Sequence, residues 1–360
     1  MNRALYTPAL GYYQNTSYKI GSKGDFITAP ELGPYFAYAI GNSLADFFNS
    51  RDNSATTNNI LEIGAGSGAL AFDLLQRLDQ LGALPERYFI LEPSAELQAR
   101  QLTRIKGLPS TLAERVEWLT DLPQNFNGVM LANEVVDAIA CERIKLIDQQ
   151  WRQLGVGAKE GRLVELEGEV IQQTKLPTYL QSLDTQTLTD MGYIEGYHTE
   201  FRPRIAGWIK SLSQSLCQGA IVLIDYGYNQ SDFYHPQRHQ GSLKCFIQHH
   251  SHDDPYSLLG LQDITAHVDF SHIAEVAAQL GLSLDGFTSQ AGFLLENGVT
   301  ELAPQKSDGG IEQSVYRQSQ QLQKLLLPGQ MGEVIKVMQL GKNLSKSIKG
   351  FSLQDHRYKL

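Results

Sequence analysis

Cysteine is scarce in this chain, and basic residues are outnumbered by acidic ones. The three cysteines, Cys141, Cys217 and Cys245, lie far apart and leave an odd one among 360 residues. That usage excludes a disulfide framework and points to a reducing compartment. Their spacing fits neither a metal-ligand set nor a redox pair, so no metal is expected. Lysine and arginine number 30 against 39 aspartates and glutamates, a formal net charge of −9. A general nucleic-acid binder needs a basic surface to neutralise phosphates, so that class is excluded. A cationic acceptor such as an arginine or lysine side chain remains compatible. No apolar run approaches the roughly 18 residues that span a bilayer, so no membrane insertion is expected. Residues Met1 to Tyr6 lack both a secretory apolar segment and an Arg/Ser-rich transit pattern, which makes the cytoplasm the expected location. Internal repeats and low-complexity tracts are missing too.

The most informative stretch present runs from Leu61 through Glu62, Ile63, Gly64, Ala65, Gly66 and Ser67 to Gly68. An apolar strand from Ile60 to Ile63 enters a loop with glycine at every second position. A helical pattern (Leu70, Leu74, Leu75, Leu78) follows at once. Such a strand–loop–helix unit holds a nucleotide-like cofactor at the carboxyl edge of a parallel sheet. Two cofactors compete for it. Gly64, Gly66 and Ala69 satisfy the dinucleotide fingerprint, which seats a pyrophosphate on a helix N-terminus. With Glu62 in front, the acid-x-Gly-x-Gly-x-Gly spelling instead resembles motif I of class I S-adenosylmethionine (SAM) methyltransferases. SAM has no phosphate but carries an ammonium, which suits an acid at the strand end.

Around this unit the chain alternates strands and helices. Tyr88–Leu91 ends at Glu92, Val116–Leu119 precedes Asp121, Gly128–Ala132 ends at Asn133 and Glu134, and Gly219–Ile224 ends at Asp225 and Tyr226. This alternation predicts a parallel sheet with helices on both faces, and ligands bind at the strand ends where these polar residues cluster. Upstream, a turn-rich segment from Gly21 to Glu31 precedes a helix through Leu32, Phe36, Ile40, Leu44 and Phe48. Thr28 and Glu31 read as its capping box, with Pro30 in the first turn. Between Cys141 and Gln172, glycine turns at 155, 157 and 161 predict an inserted β-hairpin. Helices are expected over Phe201–Leu216, Phe270–Leu280 and Gln313–Leu327, and late strands over Ser283–Phe287 and Gly332–Leu340. The organisation expected is an N-terminal helical segment packing on the cofactor site (1–58), the cofactor-binding core (59–140), an inserted hairpin and loop (141–200), and the remaining core (201–360). The last carries a long loop at 229–262, of the kind that usually serves as a lid or binding loop. His249, His250 and His252 in that loop read as solvated rather than metal-binding.

Six ordered segments carry a resemblance that covers nearly the whole chain. They are Ala4–Tyr13, Gly24–Glu31, Leu61–Gly68, Asn133–Ala138, Ile224–Tyr228 and Asp263–Phe270. Together they resemble the MidA-like SAM-dependent methyltransferase family, which includes the mitochondrial complex I assembly arginine methyltransferase. The resemblance implies a class I, Rossmann-like α/β fold with a mostly parallel sheet, an inserted β-hairpin and helical and loop elements. It implies SAM as methyl donor and a protein arginine as acceptor, which in the mitochondrial members belongs to a respiratory complex I subunit. Cofactor contacts are expected from Asp25, Thr28, Glu62, Gly64, Gly66, Gly68, Glu92, Asp121 and Asn133. Glu92 is placed to accept the ribose hydroxyls and Asp121 the adenine amino group. Catalytic or acceptor-binding candidates are Asn133, Glu134, Asp137, Asp225, Tyr226 and His267. A buried carboxylate pair at 134 and 137 could grip a guanidinium in bidentate fashion. Strand alternation would set His267 and Asp269 on one face. The chain departs from the family pattern where Val135 and Val136 replace two phenylalanines and Ile139 and Ala140 replace Leu-Pro, which changes the wall of the acceptor pocket. Fold does not dictate the acceptor, so a small-molecule N- or O-methyltransferase, an NAD-dependent oxidoreductase and a non-catalytic assembly factor stand as alternatives.

Overall fold

The computed structural model describes residues 1–15, 24–25, 27–50, 58–302 and 313–360. Residues 21–23 and 26 of the expected turn-rich segment lie outside these. In chain order, helix α1 (Tyr35–Asn49) precedes β1 (Asn59–Ile63), α2 (Ala69–Gln80), β2 (Tyr88–Leu91), α3 (Ala95–Ile105), β3 (Val116–Leu119) and β4 (Phe126–Asn133). Four strands follow: β5 (Glu142–Ile147), β6 (Gln150–Lys159), β7 (Arg162–Val170) and β8 (His198–Phe201). The core resumes with α4 (Ile205–Ser215) and β9 (Leu216–Tyr228). Then come β10 (Lys244–Ile247), β11 (His250–His252), β12 (Asp263–Thr265), β13 (Val268–Asp269), α5 (Phe270–Gln279) and β14 (Ser283–Ser289). Helices α6 (Gln290–Glu296) and α7 (Gln313–Leu326) lead to β15 (Ile335–Lys342).

The main sheet has the order β14-β15-β9-β4-β1-β2-β3, with β13 pairing on β9. Strands β1 to β4 and β9 pair in parallel, and β15 runs antiparallel to both neighbours. Alternation along each strand feeds two separate cores, as a sheet covered on both faces requires. Ile60, Val129, Leu131, Val222 and Ile224 pack with α1 and α2 on one side. Leu61, Met130, Ala132, Ile221 and Leu223 pack with α4 and α5 on the other. The polar strand ends therefore converge on one edge.

The inserted hairpin β6–β7 is part of a four-stranded sheet in the order β7-β6-β5-β8, with its own aromatic core of Trp151, Tyr193, Tyr197 and Tyr234. The 229–262 stretch is less loop-like than expected: β10 and β11 pair there, and β12 completes a small sheet. Three local expectations are corrected. The helix foreseen from Phe201 starts at Ile205, because Pro203 disfavours a helical Arg202. The last strand starts at Ile335, with Met331–Val334 wound into a helical turn. Thr28 makes no side-chain capping bond, and Glu31 turns instead to Ser67 Oγ and Arg104.

Candidate active site

A cavity of about 950 Å³ opens at the carboxyl edge of β1, β2, β4 and β9. On its cofactor side, Gly64, Gly66 and Gly68 all take positive φ values of 67, 54 and 81°. That left-handed geometry suits glycine and lets the loop turn back from β1 into α2. Gly64 and Gly66 line the cavity, whereas Gly68 does not. A Cβ at 68 would meet Gln101 Cα at 3.3 Å, so that glycine serves the packing of α2 on α3.

Glu92, at the end of β2, is buried and faces the cavity. It accepts from the Ser94 amide at 3.0 Å and from Gln101 Nε2 at 3.1 Å. The same Gln101 amide donates to the Gly66 carbonyl at 3.0 Å, and its oxygen accepts from Trp118 Nε1. Gln101 thus ties the glycine loop to the strand-end acid, a link with no signature in the sequence. Glu62 is buried and accepts the Tyr88 hydroxyl at 2.7 Å; burial pushes its carboxyl up to about 7. Asp121 lies exposed at the cavity edge, where Thr120 donates to it. Thr28 lines the opposite wall with Asp25, whose oxygens accept from Tyr12 and the Gln248 amide at 2.8 and 2.7 Å.

The far half of the cavity holds a group of carboxylates. Glu134 takes a left-handed φ of 51° directly after β4, an uncommon conformation that concentrates at functional sites. Its Oε1 accepts from the Ala29 amide at 3.2 Å and from Asn133 Nδ2 at 3.3 Å. Burial, then the neighbouring Asp137, pushes its carboxyl up to about 8. Asp137 accepts the Thr265 hydroxyl at 2.7 Å, and burial raises it from the usual carboxylate range. Asn133 Oδ1 is buried without a protein partner, an acceptor left open to a ligand. Tyr226 and His267 also line this half, their rings near-parallel with centroids 6.4 Å apart. Burial drives His267 down to about 4, so its imidazole is neutral at physiological pH, and its Nδ1 has no partner.

Two expected residues point elsewhere. Asp225 does not line the cavity: its Oδ2 accepts the amides of Val135, Val136 and Asp137, and its Oδ1 that of Tyr226. It shapes the turn that aims Glu134 and Asp137. Asp269 parts from His267, because the chain swings from β13 into α5 and Asp269 caps that helix through the His272 amide. Sequence reasoning also passed over Asp263, which is buried on the cavity wall, accepts from Tyr13 at 2.9 Å and is pushed up to about 7 by burial and Asp137. The alternation Asp263, Thr265, His267 was the available signal. Tyr6 and Tyr13, from the first motif, close the same wall.

The residues present fit SAM: a glycine turn with open space beside it, a buried acid at the next strand end and an unpaired amide oxygen between the two halves. Fold and site together define a class I SAM-dependent methyltransferase. The chain belongs to the MidA-like family of S-adenosyl-L-methionine-dependent methyltransferases, which it matches over residues 39–288. Mitochondrial protein arginine methyltransferase NDUFAF7 of Homo sapiens is 28% identical over 360 residues, covering 92% of this chain and 77% of its own. The Bos taurus protein of that name is 27% identical over 369 residues, with the same coverage. A Burkholderia thailandensis protein crystallised with S-adenosyl-homocysteine superposes with a TM-score of 0.88 at 34% identity, covering all of this chain and 90% of that one. The dinucleotide reading of the glycine loop is set aside by these relatives. Among the described residues, no helix is long and apolar enough to cross a membrane.

Proposed function

We propose that this methyltransferase modifies an arginine side chain of a partner protein, a respiratory complex I subunit being the partner that its family implies. The observation that carries this reading is the charge of the cavity wall. Among the described residues, eight carboxylates, Glu134, Asp137 and Asp263 included, line it against a single lysine, Lys244, which is itself paired with Asp253 at 2.5 Å. Gathering carboxylates in such excess over cations in a partly buried wall is costly, so a site built this way favours a cation. Two curated relatives named as protein arginine methyltransferases support the same acceptor.

When bound, SAM supplies an activated methyl group on a sulfonium and departs as S-adenosyl-homocysteine. Glu92 would hold the ribose, Asp121 the adenine edge, and Asp25, Thr28, Glu62 and Asn133 the amino-acid end, over the backbone of Gly64 and Gly66. Glu134 and Asp137 would grip the guanidinium through paired N–H···O bonds and turn one nitrogen toward the methyl group. Methylated nitrogen must shed a proton, and Glu134, with an affinity raised by burial, is the acceptor for it. Tyr226 and His267 form the wall beside the reacting nitrogen, and Asp225 acts at one remove through the turn it holds.

The test is to incubate the protein with labelled SAM and an extract of its own cells lacking the endogenous enzyme, then map modified peptides. Methylarginine in one or a few proteins is expected. Label confined to small molecules, or none transferred at all, overturns the reading.

A further inference from the structure

The inserted sheet reaches the acceptor half of the cavity through the end of β8. Glu200 and Arg202 alternate there on one side of the chain, and both are buried, at 0% and 6% exposure. Glu200 accepts from the Ser242 amide at 2.8 Å and its hydroxyl at 3.1 Å, and that hydroxyl accepts from the His267 amide at 3.0 Å. Arg202 is gripped by carbonyls alone. Its Nε donates to Ile139, one Nη to Asp137 at 2.9 Å and to Ala266, and the other Nη to His267. Four of its five N–H groups thus bridge two loops, one carrying Glu134 and Asp137 and the other Asp263, Thr265 and His267.

We propose that Arg202 is a positioning residue for the acceptor half: it clamps the two acid-bearing loops in register and supplies the positive charge beneath them. This rests on the reading of that half as the acceptor site. The groups facing Asp137 are the acids Glu134, Asp225 and Asp263, the phenols of Tyr6, Tyr13 and Tyr226, and the guanidinium of Arg202. Arg202 is the one cation in that set, and it lowers the proton affinity of both Asp137 and Asp225. Among the described residues no carboxylate pairs with it directly, so its charge remains available to the acids around it. Lysine could keep the charge but not the planar fork that satisfies carbonyls on both loops at once.

The experiment needs no acceptor. Wild type, Arg202→Met and Arg202→Lys are saturated with S-adenosyl-homocysteine. Amide hydrogen exchange is followed along the chain, and the Asp137 carboxyl is titrated by carbon NMR. In Arg202→Met, segments 135–139 and 264–268 should exchange roughly tenfold faster while β1, β2 and β4 keep their protection. Asp137 should also titrate at higher pH than in wild type. Arg202→Lys should return the Asp137 titration toward wild type without restoring protection of the two loops. Wild-type exchange and titration in Arg202→Met overturns the proposal, as does faster exchange spread evenly over the main sheet. If Arg202→Met does not fold, Arg202→Lys decides: selective loss of loop protection supports the clamp, and wild-type protection overturns it. These outcomes are independent of what the wild type methylates, so failure of the arginine reading would be seen separately.

Discussion

Asp225, fully buried, and Glu134, half-buried, are acids at the ends of neighbouring strands, yet their surroundings give them opposite work. Asp225 spends its lone pairs on four backbone amides, three of them in the turn after β4. Substituting Asp225→Ala leaves those amides unsatisfied, so urea unfolding should show a loss of about 3 kcal/mol or more, the scale of leaving buried donors without a partner. Glu134 keeps an oxygen toward the cavity. Glu134→Gln preserves shape and an acceptor for the Ala29 amide, so the fold and S-adenosyl-homocysteine binding by calorimetry should persist. Turnover should fall roughly 10²- to 10⁴-fold, the range for losing a positioned proton acceptor. Both residues were visible in the sequence as strand-end acids. Their difference was not, because local sequence does not say whether amides or solvent-filled space surround a carboxylate.

At the scale of the element, the β1–α2 turn was the most legible part of the chain. Alternate glycines after an apolar strand encode a left-handed turn within a few residues, and the turn is there. Gly64→Val would force a branched residue into a φ of 67° and press its Cβ within about 3.1 Å of Val135 Cγ2. Titration with S-adenosyl-homocysteine should then reveal loss of binding by more than about tenfold, a modest 1.4 kcal/mol. The segment from Thr28 to Glu31 was misread for an instructive reason. Its spacing is that of a capping box, but Glu31 is drawn to Ser67 and Arg104 on other elements. Tertiary partners outbid the local bond. The β10–β11–β12 sheet was equally hidden, since each strand is only three or four residues long and shows little periodicity.

For the whole molecule, the buried acids make stability depend on pH in an unusual direction. Glu134, Glu62, Asp263 and Asp269 are pushed up to about 8, 7, 7 and 7 by burial. Between roughly pH 4.5 and 8 the folded chain therefore binds more protons than the unfolded one, so these groups lose stability as pH rises through that window. His267, driven down to about 4, works the other way: the unfolded chain holds its proton up to about 6.5, so stability rises with pH from 4 to 6.5. Four carboxylates outweigh one imidazole, and above pH 6.5 nothing in this set opposes them. Thermal unfolding without ligand should accordingly show a midpoint that falls from pH 6.5 to 8. S-adenosyl-homocysteine, which brings an ammonium to the site, should flatten that fall. A midpoint that climbs across the same range would contradict the burial of these acids.

The sequence by itself determined the alternation of strands and helices, the glycine turn and the carboxyl edge at which polar residues gather. These rest on backbone preferences and hydrophobic periodicity that span a handful of residues. Only the tertiary structure decided which acids face the cavity. Asp137 meets Thr265 across 128 positions of chain, and Tyr13 meets Asp263 across 250. Side-chain direction at a strand end is set by what packs there from afar, and proton affinity follows from the burial that this packing creates.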